Sequence, residues 1–134
     1  MIKLRHLAIN LGIEKNVSFV GVVNNVAEHI EKTSLFILAS KQEGMPNALI
    51  EAMAIGLPCV STNFAPGSVS ELIDHRDNGL IVPCDDPQSL SDALAYLADN
   101  EKKAEEMGEK AKAIGRKVDL TKISTQWKEV FERF

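Results

Sequence analysis

Long apolar runs are missing from this 134-residue chain. None approaches the roughly 20 residues that a membrane-crossing helix needs. The opening Met1-Ile2-Lys3-Leu4-Arg5-His6 is mixed and helical in character, unlike a secretory signal peptide. Cysteine is scarce: Cys59 and Cys84 have no metal-like spacing and make no disulfide framework, which points to a reducing compartment. Positive charge is in deficit, with 15 Lys and Arg against 19 Asp and Glu and a net charge of -4. That balance argues against general affinity for a nucleic acid backbone, which needs a basic surface. A cytoplasmic protein is expected, with a peripheral place at the inner face of the membrane as the alternative.

What is present is the composition of a globular domain, 45% hydrophobic and 25% charged. Leu4, Leu7, Ala8 and Leu11 have helical spacing across Lys3 to Leu11, with Gly12 as a C-terminal cap. Val17 to Gly21 reads as a first strand, and Asn24 and Asn25 as N-caps of a helix reaching about Thr33. Leu35-Phe36-Ile37-Leu38-Ala39 is continuously apolar, as in a strand covered on both faces. Pro46 fits the first position of a helix that stops at Gly56. Strands are expected at Pro58 to Thr62 and Leu80 to Val82, with a short helix at Ser68 to Ile73 between them. Helices follow over about 87–98, 101–115 and 121–133. Alternating strands and helices with short loops predict a doubly wound α/β parallel sheet, Rossmann-like, with C-terminal helices. Such a sheet normally opens on a strand, whereas this chain opens on a helix.

Ligands of these sheets bind outside the carboxyl ends of the strands. There the loop from Ser40 to Met45 holds Glu43, followed by Gly44, which lets a ligand approach the backbone. The helix after Pro46 aims its first N–H groups, Asn47 and Ala48 among them, at the same crevice and favours an anion. Glu51 lies roughly 7 to 8 Å further along that helix. Spacing alone leaves two readings: solvated charges near a helix start, or two carboxylates flanking an anion, the pattern that a nucleotide sugar presents.

The segment Glu43-Gly44-Met45-Pro46-Asn47-Ala48-Leu49-Ile50-Glu51-Ala52-Met53-Ala54 resembles the signature of glycosyltransferase family 4. The resemblance continues through Gly56-Leu57-Pro58-Cys59-Val60, upstream in Phe19-Val20-Gly21 and Leu35 to Ser40, and downstream in Gly67 to Ile73 and Asn78 to Pro83. It spans nearly the whole chain in order. It implies the C-terminal, donor-binding half of a two-domain GT-B enzyme that retains anomeric configuration without a metal or other cofactor. By position, Glu43 would bond the donor sugar and stabilise charge there. Glu51 would hold the ribose, and the backbone near Val23 would contact the base. Backbone N–H groups of Gly44, Met45, Pro46, Asn47 and Ala48 mark the stretch that would meet the distal phosphate and sugar, proline excepted as a donor.

The same resemblance marks what this span lacks: the donor domain's first strand with its basic phosphate pair, and the acceptor domain. Residues 1–134 are therefore expected to form a single partial nucleotide-sugar-binding domain, inactive in sugar transfer alone and partnered by an N-terminal acceptor domain. His6, His29 and His75 are not promoted to the acceptor domain's catalytic role, and His75 in Asp74-His75-Arg76-Asp77 reads as an exposed turn. Lys41 reads as a solvated lysine or a partial substitute for the missing phosphate charge. Glu71 either favours a helix dipole or lines the donor pocket. Ile123, Trp127, Val130 and Phe131 read as a packing face. The expected function is hexose transfer from a nucleotide sugar, UDP ahead of GDP, in surface polysaccharide or glycolipid synthesis. The UDP preference comes from the likeness of the Gly67 to Glu71 loop to members using UDP sugars. The alternative is a non-catalytic nucleotide-sugar-binding module. A GT-B epimerase or phosphorylase relative is weaker still, since the usual epimerase acid/base set is not apparent.

Overall fold

The computed structural model describes residues 2–64, 69–119, 124–125, 128–129 and 131–132. Among them, helices α1 (Ile2–Asn10) and α2 (Val26–Ile30) lead to β1 (Phe36–Leu38), α3 (Asn47–Ile55) and β2 (Cys59–Thr62). Then come β3 (Leu80–Val82), α4 (Pro87–Asp99), α5 (Glu101–Ala111) and α6 (Ile114–Lys117). The strands pair in the order β1-β2-β3, all parallel.

Register sorts the side chains between two faces. Phe36 lies opposite Cys59, and Leu38, Ser61 and Ile81 lie in line across the sheet. That face packs on α3, with Leu49, Met53, Ile73, Ala111 and Ile114 in one cluster. Val60, Leu80 and Val82 turn the other way, against Leu97, Ala104 and Met107 of α4 and α5. Helices on both faces of a parallel sheet make the doubly wound architecture expected from the sequence. Cys59 sits in the core, as its apolar neighbours imply, and burial pushes its thiol up to about 12.

Local signals account for several boundaries. Asn25 Oδ1 accepts from the Glu28 N–H at 3.3 Å, capping α2. Gly56, at φ 95°, ends α3: its N–H reaches Met53 C=O while the Leu57 N–H reaches Ala52 C=O, a Schellman closure. Asp86 caps α4, accepting from the Ser89 N–H at 3.0 Å and the Ser89 hydroxyl at 2.6 Å. These two bonds hold its carboxyl below the usual aspartate range.

Elsewhere the expected elements differ from the observed ones. Val17 to Gly21 is not a strand: Val17 is extended, but no neighbouring strand of the described residues pairs with this segment. The apolar side chains that share helical spacing in α1 are largely open, with Leu4 at 58%, Leu7 at 52% and Leu11 at 62% exposure; of the four, only Ala8 is buried. Ile37 is 40% exposed although its strand is continuously apolar, because α4 packs over β2 and β3 and leaves that side of β1 uncovered. Pro46 is the N-cap of α3 and not its first residue: with ψ at 65° it lies outside the helix while its C=O accepts from Leu49 and Ile50. Val69 to Ile73 forms turns in place of a helix. There Asn78 ties the chain down, accepting from the Asp74 N–H and donating to Leu72 C=O. Ser68 lies outside the described residues. The predicted helix to Gly115 breaks at Lys112 and resumes as α6. Of the last expected packing face, Ile123, Trp127 and Val130 lie outside the described residues, and Phe131 is exposed.

Candidate donor site

The carboxyl ends of β1, β2 and β3 come together at Ser40, Thr62 and Cys84. Thr62 Oγ1 lies 2.5 Å from Ser40 C=O and 3.2 Å from Leu38 C=O. One hydroxyl proton cannot serve both in full, so the shorter contact is the principal bond. Cys84 Sγ lies 3.9 Å from the same Ser40 carbonyl. The loop leaving β1 is thus anchored to β2, with a weaker contact from the segment after β3.

That anchored loop presents Glu43. Ser40 Oγ donates to Glu43 Oε1 at 2.6 Å, within the short range of a hydroxyl bonded to a carboxylate. Glu43 is half-buried, whereas Glu51, at the middle of α3, is exposed. Gly44 borders open space: a Cβ built there would meet nothing within 4 Å, and its φ is not in the left-handed region. The glycine is required neither by the backbone nor by packing and leaves room for a ligand.

The N-terminus of α3 is less open than spacing implied. The Asn47 N–H bonds Met45 C=O at 2.9 Å, and the Leu49 and Ile50 N–H groups bond Pro46 C=O. Among the described residues only the Ala48 N–H of these first four helical positions has no acceptor. Lys41 pairs with Asp85, which raises the lysine's pKa by hydrogen bonding and charge. Its charge is therefore answered within the chain, and both side chains are mostly exposed.

A hollow of about 190 Å³ lies beside this centre, lined in part by Ser40, Lys41, Thr62, Asp85 and Leu90. A second, of about 290 Å³, lies between β3 and α4 and includes His75, Arg76 and Tyr96. Val23, Glu43 and Glu51 line neither. Val23 is half-buried just after Gly21, which adopts φ 82°. Met45 is exposed and Pro46 is buried. The structure thus gathers Glu43, Gly44, Met45, Asn47 and Ala48 at one loop and helix start, with Glu51 further along α3. Glu71 lies on the turn that replaces the expected short helix, exposed, so the dipole reading falls away.

Sequence reasoning missed Ser40 and Thr62 as supports of Glu43. The Ser40-x-x-Glu43 spacing was visible, but only the tertiary contact identifies the partner of each hydroxyl. It also missed that exposed His75 accepts the Ile81 N–H through Nδ1 at 2.9 Å.

The sequence profile described as "Glycosyl transferases group 1" matches residues 2–114. The chain belongs to this glycosyltransferase family. An uncharacterized glycosyltransferase of Haemophilus influenzae is 34% identical over 127 residues, covering 95% of this chain and 36% of the relative. An exopolysaccharide phosphotransferase of Streptomyces coelicolor is 35% identical over 132 residues, covering 98% of this chain and 14% of the relative. Anabaena HepE, crystallised with UDP and with UDP-glucose, superposes with TM-scores of 0.91 and 0.90 at 23% identity. The alignment covers 98% of this chain and 36% of HepE. This glycosyltransferase segment thus has the Rossmann-like fold of the GT-B C-terminal half, and it spans about a third or less of the relatives' lengths.

Proposed function

We propose that the segment binds the nucleotide-sugar donor of a retaining hexosyltransferase, with UDP preferred to GDP, and that transfer requires an N-terminal acceptor domain. The observation carrying this reading is the placement of Glu43 on an anchored loop at the strand ends, with Glu51 following on α3. Glu43 accepts from hydroxyls of the transferred sugar, and Glu51 from those of the ribose. The Ala48 N–H and the α3 dipole favour the diphosphate between them. The segment near Val23 meets the base.

In this scheme the bond from the anomeric carbon to the diphosphate oxygen breaks while the acceptor oxygen bonds on the same face. The acceptor proton passes to the leaving diphosphate. Positive charge develops at the sugar ring, where the Glu43 carboxylate stabilises it without forming a covalent bond. No metal or other cofactor enters. The Streptomyces relative's name and the HepE ligands support a polysaccharide setting and a UDP donor. A cytoplasmic protein acting at the inner face of the membrane, on a glycan or lipid-linked acceptor, fits this reading.

NMR titration of the 134-residue chain tests it. UDP and UDP-glucose are expected to shift amides between Val23 and Glu51 with dissociation constants on the order of millimolar, because Lys41 on the Glu43 loop is already paired with Asp85. GDP is expected to bind more weakly. Shifts confined to the hollow at His75, Arg76 and Tyr96, or submicromolar affinity, would show that the donor site is misplaced.

A further inference from the structure

We infer that Ser40 and Thr62 form a positioning relay that sets the Glu43 carboxylate for the donor sugar; this rests on the donor-site reading above. The relay starts in β2, whose Thr62 is buried and directs its hydroxyl at Ser40 C=O. Ser40 is fixed by that bond and turns its own hydroxyl onto Glu43 Oε1. Two bonds of 2.5 and 2.6 Å therefore connect the central strand to the candidate sugar-binding carboxylate.

The chemistry of the relay separates it from an ordinary turn. Serine and threonine in turns usually bond nearby backbone groups. Here Ser40 bonds a side-chain carboxylate three residues on. Other carboxylates of this molecule, Asp85 and Asp77, are held by lysines. Glu43 has no ion pair among the described residues. A hydroxyl orients the group without cancelling its charge, which a lysine would do. A carboxylate has about four lone-pair sites, so one bond at Oε1 leaves acceptor capacity for sugar hydroxyls. Ser40 and Thr62 thus act through Glu43 on sugar recognition, not on the nucleotide.

The distinguishing readout is the ratio of UDP-glucose to UDP affinity, measured by titration of the 134-residue chain and its variants. Ser40→Ala is expected to lower that ratio about 10-fold, the low end for a hydrogen bond to a charged group. Ser40→Thr, which keeps the hydroxyl, is expected to restore most of it. Thr62→Val preserves shape and removes the hydroxyl, so it should lower the ratio in the same direction, and Thr62→Ser should recover it. A general disturbance of the fold would weaken UDP and UDP-glucose together. An unchanged ratio in Ser40→Ala, or equal loss of both ligands, overturns the relay while leaving the donor site standing. Wild-type chain that binds neither ligand at tens of millimolar overturns the donor-site reading, and the relay falls with it.

Discussion

At the scale of single residues, Glu43 and Glu51 divide along burial and distance from the expected chemistry. Glu43 is half-buried and held by Ser40; Glu51 is exposed on α3. In a full-length enzyme containing this segment, the ribose contact proposed for Glu51 would be similar in the ground and transition states, so Glu51→Gln should weaken both alike. Its effect should appear mainly in KM. Glu43→Gln removes charge from the proposed sugar site and should lower kcat by about 10²-fold for a lost stabilisation of about 2.7 kcal/mol. Steady-state kinetics at saturating donor checks both. Intact turnover in Glu43→Gln together with abolished turnover in Glu51→Gln would reverse the assignments. Both variants should fold, since neither side chain is buried in the core.

At the scale of elements, the contact between α5 and the end of α3 sets a strict steric limit. A Cβ on Gly108 would overlap the Gly56 carbonyl oxygen and lie 3.3 Å from the Pro58 nitrogen. These are backbone atoms and cannot swing aside as a lysine side chain can. Alanine also gains about 1 kcal/mol over glycine in a helix interior. The clash outweighs this gain, because removing it means lifting α5 from the sheet. Gly108→Ala should therefore destabilise the chain by about 2 kcal/mol, within the usual range for overpacking. Gly115 in α6 is the contrast: a methyl group there would meet nothing within 4 Å, so Gly115→Ala should be neutral or mildly stabilising. Urea denaturation of both variants tests the pair; equal stabilities would mean that α5 packs less closely on the α3 terminus.

At the scale of the whole molecule, neither of the two hollows described above is lined by Glu43 or Glu51. The segment covers 36% of the Haemophilus relative, and the proposed function assigns acceptor binding to a separate domain. The 134-residue chain is therefore expected to show no sugar transfer from UDP-glucose or GDP sugars to lipid or glycan acceptors. Activity should appear only with an acceptor half supplied. A radiolabelled-sugar transfer assay decides this, and robust turnover by the chain alone would refute the division of labour. The exposed Leu4, Leu7 and Leu11 of α1 and the half-covered β1 belong to the same scale, since their apolar surfaces have no complete cover among the described residues.

The sequence by itself determined the alternation of elements and the location of the candidate site. The apolar run at Phe36–Leu38 and the short segment Cys59–Thr62 read correctly as strands, Gly56 as the end of α3, and Asn25 as the cap of α2. These are local signals: burial preference, left-handed backbone and side-chain capping act within a few residues. Val17 to Gly21 looked equally strand-like, yet a strand exists only when another strand takes up its backbone hydrogen bonds. Tertiary structure alone decided that this segment stays unpaired among the described residues and that α1 leaves its leucines open. It likewise decided that Lys41 answers Asp85 and that Thr62, 22 residues after Ser40, holds the loop on which Glu43 stands. Pairing across such a separation depends on how the sheet assembles, which no local pattern in the chain encodes.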